Sequence, residues 1–228
     1  MIPAVILFLL IAVLDWTAVQ RGWKRVEYFA KPAAMLVLAG LLVFAGGFRN
    51  LPLTCFTVGI LFSLAGDIFL MVNLTRFGLR WFILGLGAFL LAHAAYIVGL
   101  NVPLPDVSPL WSMGLALLLA LTASRLLRRI ITGVRQKGLK RLALPVAVYG
   151  LVITLMLLSA MLTLYRTDWN LGAAGLGSLG AVLFFASDII LAWNKFINPT
   201  WNGRLVNMIT YHLGQLALAV GVLLQFPG

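Results

Sequence analysis

The sequence predicts an all-α fold: a polytopic membrane bundle of eight transmembrane helices. Three observations carry that prediction. Of 228 residues, 62% are hydrophobic and only 10% are charged, against about 25% charged in an ordinary soluble domain. The apolar residues fall into eight runs of the ~20 residues needed to cross a hydrocarbon core. The 17 Lys and Arg residues collect in alternate connections between those runs.

The runs can be justified in order. The first, about 2–20, lacks the basic leader and small-residue cleavage site of a signal peptide, so it counts as structure. The second, about 31–48, opens with Lys31-Pro32, and the sixth, about 142–165, opens near Pro145. Both prolines are expected at helix starts, where the missing N–H costs little. The third and fourth cover about 51–72 and 79–100, the fifth about 108–127, the seventh about 171–193 and the eighth about 204–226. Asn73 and Asn194 are expected to end their helices. The connections are too short for a soluble domain, so residues 1–228 form one transmembrane domain.

Charge sets the expected orientation. The connections after spans one, three, five and seven carry 4, 2, 7 and 2 Lys or Arg residues, and the rest of the loops hold only Arg49 and Arg166. Cytoplasmic loops are enriched in Lys and Arg, so both termini are expected outside. The basic stretch from Arg125 to Arg141 is read as a loop that anchors topology against anionic headgroups. That placement also accounts for the net charge of +11 without nucleic acid. Asp106 and Asp168 are read as solvated loop residues on the outer side. Asp15, near the cytoplasmic end of span one, is expected to reach water or to meet Arg21 or Lys24. One cysteine, Cys55, excludes an intramolecular disulfide, and two histidines and one cysteine far apart argue against a zinc site. The stretch Gly175-Leu176-Gly177-Ser178-Leu179-Gly180 matches GxGxxG, but no strand precedes it and no acidic residue follows about twenty positions later. It reads as a small-residue helix face.

Two aspartates stand out inside apolar runs, in Ala65-Gly66-Asp67-Ile68 and Ala186-Ser187-Asp188-Ile189. An ionisable group at mid-helix in lipid costs roughly 2.5–3.5 kcal/mol on insertion scales, so such groups mark function. A shift of 121 residues places Gly59 on Gly180, Ala65 on Ala186, Asp67 on Asp188, Ile68 on Ile189 and Leu70 on Leu191. This suggests two parallel four-helix halves, residues 1–105 and 106–228, related by an axis along the membrane normal. Helical spacing then selects the polar side chains that share a face with small residues. It aligns Gly59, Ser63 and Asp67; Gly180, Phe184 and Asp188; Gly85, Phe89, His93 and Tyr96; and Asn207, Tyr211 and Gln215. Tyr149 lies one turn beyond Pro145. By residue count His93 sits about 14 Å nearer the outer side than the aspartates, at 1.5 Å per residue.

These segments together carry a family resemblance. Lys31-Pro32, Ser63-Leu64-Ala65-Gly66-Asp67, Phe89 with Ala92-His93 and Tyr96, Pro145-Val146 with Tyr149, and Gly180-Ala181 with Leu183-Phe184 and Ser187-Asp188 resemble the YhhN family. The similarity covers roughly residues 25 to 220. Where the family pattern has a tyrosine-rich stretch before a glutamine, this chain reads Tyr211-His212-Leu213-Gly214-Gln215 and departs at His212. The resemblance implies a multi-span lysoplasmalogenase. Such an enzyme hydrolyses the vinyl ether bond of an alkenyl glycerophosphocholine or glycerophosphoethanolamine, releasing a fatty aldehyde. It also implies a lysophospholipid partner; the expected location is a bacterial inner (plasma) membrane.

That chemistry suits the residues. Vinyl ether cleavage needs an acid that protonates carbon, and the oxocarbenium ion then formed takes up water. Two carboxyls held close divide acid from base, as in glycosidases. Asp67 and Asp188 are the expected catalytic pair, with no metal and no cofactor. Lys31 is placed either to hold the substrate phosphate or to keep one aspartate ionised. His93, Tyr96, Tyr149, Tyr211 and Gln215 are candidates to bind or orient substrate and water. The alternative is a proton-coupled transporter or lipid carrier, because midmembrane carboxylates in a repeated bundle also suit transport.

Overall fold

The computed structural model describes residues 1–71 and 78–227. Eight helices follow in order: α1 (Ile2–Arg21), α2 (Lys24–Phe44), α3 (Leu51–Met71), α4 (Gly78–Leu100), α5 (Pro109–Gln136), α6 (Ala143–Leu162), α7 (Leu171–Phe196) and α8 (Gly203–Gln225). Among the described residues there is no strand. All eight helices are long and apolar enough to cross a membrane, so the chain is a multi-pass integral membrane protein. Lipid offers backbone groups no hydrogen bonds, and a helix satisfies them internally.

Seven of these helices pack in a closed circuit, α1–α2–α3–α4–α6–α7–α8 and back to α1, and α8 also reaches across to α3. The fifth stands outside it, against α6 and α7. The core lies inside the circuit and includes Phe8, Met35, Leu38, Phe56, Ile60 and Phe184. A smaller cluster, Phe82, Ile130, Val134, Leu142, Val146 and Phe196, ties the end of α5 to the bundle. Nothing in the apolar stretch of α5 is buried, as expected of a helix that faces lipid.

Small residues set the tightest contacts. A Cβ at Gly180 would meet the Leu218 backbone nitrogen at 2.7 Å, and one at Gly214 would meet the Phe184 nitrogen at 2.9 Å. Helices α7 and α8 therefore touch backbone to backbone, a packing that membrane interfaces favour. In the α3–α4 pair Phe56 faces Gly99, Gly59 faces Tyr96, Gly66 faces Phe89 and Leu70 faces Gly85.

Several boundaries differ from the sequence reading. Helix α2 begins at Lys24, so Lys31 and Pro32 lie two turns inside it, and Pro32 is not at a helix start. The first turn is polar, and a count of apolar residues passes over it. It is held by Glu27, which pairs with Lys24 at 3.3 Å and with Arg204 of α8 at 2.5 Å. Pro145, three residues into α6, is near its helix start as expected. The basic stretch after span five is not a loop. Helix α5 carries it as far as Gln136, burying Ile130 and Val134 while Arg125, Arg128, Arg129 and Arg135 stay at its surface. Asn194 does not end α7, which continues to Phe196. Its side-chain oxygen accepts from the Thr200 N–H (2.7 Å) and hydroxyl (2.9 Å), closing the turn into α8. Asn73 lies outside the described residues.

Two acidic residues are also relocated. Asp15 does not reach water: it is fully buried, and neither carboxyl oxygen has a protein hydrogen-bond partner. Asp168 is not simply solvated. It accepts from Arg166 Nε (2.9 Å) and Nη2 (2.6 Å), while Arg166 also donates to the Leu100 and Pro103 carbonyls. These bonds to Arg166 hold the Asp168 carboxyl below its usual range.

Candidate active site

Both midmembrane aspartates line one polar chamber of about 420 Å³. Asp67 lies one turn from the end of α3 and Asp188 two turns from the end of α7, so the chamber occupies the basic end of the bundle. Asp67 is sealed from solvent, whereas Asp188 keeps 14% of its side chain exposed.

The two carboxyls have different partners. Asp67 Oδ1 receives Lys31 Nζ at 2.8 Å, and its Oδ2 accepts from the Tyr211 hydroxyl at 2.6 Å. The Lys31 ammonium also lies 5.3 Å from the Tyr211 ring centre, so three helices hold one charge pair. Asp188 Oδ2 accepts from the Tyr149 hydroxyl. The Tyr149 oxygen lies 3.0 Å from His93 Nε2. A tyrosine has one proton to give. With that proton directed at Asp188, His93 donates from Nε2, which leaves Nδ1 bare. Nδ1 is indeed buried without a protein partner. His93 Nε2 is also 3.6 Å from Asp188 Oδ2.

His93 thus reaches the site despite the 14 Å expected from residue count. The reason is register. With Gly66 facing Phe89 and Phe56 facing Gly99, His93 falls level with Phe62, roughly 7.5 Å along the axis from Asp67 at 1.5 Å per residue. Asp188 lies one turn farther from its helix end than Asp67 does, which closes most of that gap.

Sequence reasoning named Lys31, Tyr149 and Tyr211, and all three touch the aspartates. It also named Tyr96 and Gln215, which line neither cavity described here. The Tyr96 hydroxyl donates to Gln215 Oε1 at 2.8 Å, and its ring packs against Phe56 and His93. His212, where the sequence departs from the YhhN pattern, accepts from the Trp16 indole at 3.0 Å, tying α8 to α1.

Asn207, aligned with Tyr211 by its helical spacing, and Ser187, beside Asp188 in the motif, were not named as site residues, nor were Lys24, Glu27 and Arg204. Asn207 donates to the Ser187 carbonyl (2.7 Å) and hydroxyl (2.9 Å), and both line the wall. Lys24, Glu27 and Arg204 form the mouth. Glu27 lies four residues before Lys31 on the same helix face, a signal visible only once α2 is known to start at Lys24. Asp15 is buried behind the chamber, within electrostatic reach of Lys31 and Asp67.

A second, apolar groove runs beside the chamber, bounded by α4, α5, α6 and α7. Leu86, Leu127, Ile153 and Phe185 line it, with Tyr149 on its wall. The two spaces share four residues, Leu70, Phe89, Asp188 and Leu191. Asp188 is therefore the polar group at their junction.

The comparisons with known proteins bear on this arrangement. The YhhN family model matches residues 26–222, which takes in every residue described at both carboxyls. The chain belongs to the YhhN family. Among curated relatives, human lysoplasmalogenase TMEM86B is 33% identical over 143 residues, covering 62% of this chain and 54% of the relative. A lysoplasmalogenase homolog from Dictyostelium discoideum is 27% identical over 194 residues, covering 73% of this chain and 62% of the relative. Rat lysoplasmalogenase TMEM86B is 38% identical over 87 residues, 38% of this chain and 33% of the relative. The matches span from a third to about three fifths of the length of these relatives. No solved structure matches the chain.

Proposed function

We propose that this YhhN protein is a membrane-embedded hydrolase that cleaves the vinyl ether bond of lysoplasmalogens. One observation carries the reading: two carboxyls with unlike partners line one polar chamber at the edge of an apolar groove. Lys31 neutralises Asp67, which makes Asp67 the carboxylate of the pair. Asp188 has no ammonium beside it among the described residues, its neighbours being the Tyr149 hydroxyl and the His93 ring at 3.6 Å, and it faces both spaces, so we assign it the role of acid. The names of the relatives support the substrate class.

The steps then balance. Asp188 gives its proton to the β-carbon of the alkene, and the α-carbon becomes an oxocarbenium ion. The Asp67 carboxylate stabilises that cation. Water adds to the α-carbon, and its proton returns to the carboxylate that Asp188 has become. In the hemiacetal the C–O bond to glycerol then breaks and the hydroxyl proton passes to the glycerol oxygen, leaving a fatty aldehyde and a free glycerol hydroxyl. One water is consumed, and the acid is regenerated. Tyr149 and His93 hold the Asp188 carboxyl against the bond.

The helices that carry the aspartates run unbroken through the site. Transporters usually bind substrate at discontinuous helices, so this favours the hydrolase over a proton-coupled carrier. The same plan supports reading residues 1–105 and 106–228 as two halves. Each aspartate meets the second helix of its own half (Lys31 or Tyr149) and the fourth helix of the other (Tyr211, or His93).

The test is incubation of purified protein with a lysoplasmalogen, with aldehyde measured by mass spectrometry. Asp188→Asn should lower turnover about 10²–10⁴-fold, the usual worth of a general acid, and Asp67→Asn should also impair it. Near-normal turnover in a folded Asp188→Asn protein removes that residue from the mechanism. Proton-driven uptake by vesicles with no aldehyde formed would replace the hydrolase reading with the carrier.

A further inference from the structure

We propose that the chamber and the groove are two parts of one site for a single-chain zwitterionic lipid. The groove takes the aliphatic chain. The chamber mouth takes the phosphate on Lys24 and Arg204 and the ammonium on Glu27. This rests on the hydrolase reading for the bond placed at Asp188, but the division of the lipid is argued separately.

The groove is lined almost wholly by carbon, from α4, α5, α6 and α7. Water would find few partners in so apolar a groove, whereas an aliphatic chain matches its lining. Asp188 is the polar group it shares with the chamber, and Lys195, whose ammonium sits 4.3 Å from the Phe82 ring centre, lines its end near the close of α7. A lipid chain lying in it is therefore led to the carboxyl and then to the polar space. The closed circuit explains why the groove exists. Helix α1 packs on α8, but α5, its counterpart in the second half, packs on α6 and α7 and leaves the flank of α4 to the groove.

The mouth has the complementary chemistry. Lys24 and Arg204 expose about half of their side chains, 55% and 57%, and both are held by Glu27, which exposes only 12%. Glu27 Oε2 receives Lys24 at 3.3 Å and Oε1 receives Arg204 at 2.5 Å. Two cations flanking one anchored carboxylate match a phosphate joined to an amine: the phosphate bridges the cations and the amine approaches the carboxylate. Arg204 can take phosphate oxygens through two N–H groups at once. A headgroup lacking the amine leaves Glu27 with no cation of its own from the ligand.

The experiment uses the whole protein in nanodiscs and a probe that cannot be hydrolysed: an ether lysolipid with a saturated alkyl chain, bearing phosphoethanolamine or, for comparison, phosphate alone. Binding to the wild-type protein should favour the phosphoethanolamine form. Arg204→Met should weaken both forms about tenfold, the loss of one charge-assisted contact. Glu27→Gln should abolish the preference between them. A probe with a photoreactive group at the chain end should label α5 or α6 within the groove, at Leu127, Ile153 or Thr154. Ala123→Trp, which fills the groove, should weaken long-chain probes more than short ones and leave headgroup preference alone. Chain-end labelling outside the groove overturns the proposal, even if Ala123→Trp fails to fold. So does equal binding of both headgroups to the wild type. Binding as expected with no aldehyde from the alkenyl lipid leaves the site standing and sinks the hydrolase reading alone.

Discussion

At the scale of single residues, the site depends on a charge that is never left alone. Lys31 and Asp67 are both buried and 2.8 Å apart. Removing one partner of such a pair strands the other in a poor solvent and typically costs about 3–5 kcal/mol, while removing both can be nearly neutral. Lys31→Met should therefore lower the thermal stability of the detergent-solubilised protein sharply, and adding Asp67→Asn should restore most of it. Additive losses in that double-mutant cycle would mean the pair does not act as a unit. The Arg166–Asp168 pair at the opposite end makes a smaller, pH-dependent contribution. Folding lowers the Asp168 carboxyl below its ordinary value, so the contribution is whole at neutral pH and fades as pH falls through the lowered value. Asp168 is half exposed, which limits its worth to about 1 kcal/mol or less. Thermal melts should separate wild type from Asp168→Asn slightly at pH 7 and converge below about pH 4.

Helices, as elements, are fixed by where they touch, and the α7–α8 seam is the most extensive. A side chain at Gly180 meets backbone of α8, not a movable side-chain tip. Overpacking in a close-packed region commonly costs about 1–3 kcal/mol, and backbone cannot step aside as a rotamer can. Gly180→Leu should thus destabilise more than Gly175→Leu, whose Cβ meets nothing within 4 Å. Equal melting temperatures for the two variants would count against the seam. This is also the scale at which the sequence stops being legible. Hydropathy located all eight helices because each must bury about 20 apolar residues, and it found Asp67 and Asp188 because charge inside such a run is conspicuous. It misplaced the start of α2 and the end of α5 because Lys24–Tyr28 and Arg125–Gln136 are helical but polar, and length in lipid says nothing about turns beyond it. Tyr149 and Tyr211 were visible as polar marks on helix faces. Their pairing with opposite aspartates was not, because it depends on which helices neighbour each other. The four-residue offset of α3 against α4 that brings in His93 is set by the glycine contacts of Gly59, Gly66 and Gly85, and a span count carries no register.

Across the whole molecule, the fifteen basic residues in alternate connections of the sequence, against two in the others, couple topology to access. The chamber mouth, with Lys24, Glu27 and Arg204, lies at the basic end. If that end faces the cytoplasm, as the bias of Lys and Arg expects, the site draws its lipid from the inner leaflet. A charged headgroup crosses the hydrocarbon core only at great cost, so a lysolipid added to one face of a sealed vesicle stays there for some time. Inverted vesicles, with the basic end outward, should cleave added lysoplasmalogen at once. Right-side-out vesicles should show a lag that disappears when detergent opens them. The Arg204→Met protein should show the same sidedness at lower rate, because topology does not rest on one residue of fifteen. Immediate cleavage by sealed right-side-out vesicles, with no gain on opening, would place the mouth on the other face and reverse the orientation of all eight spans together, since consecutive helices alternate and none can turn alone.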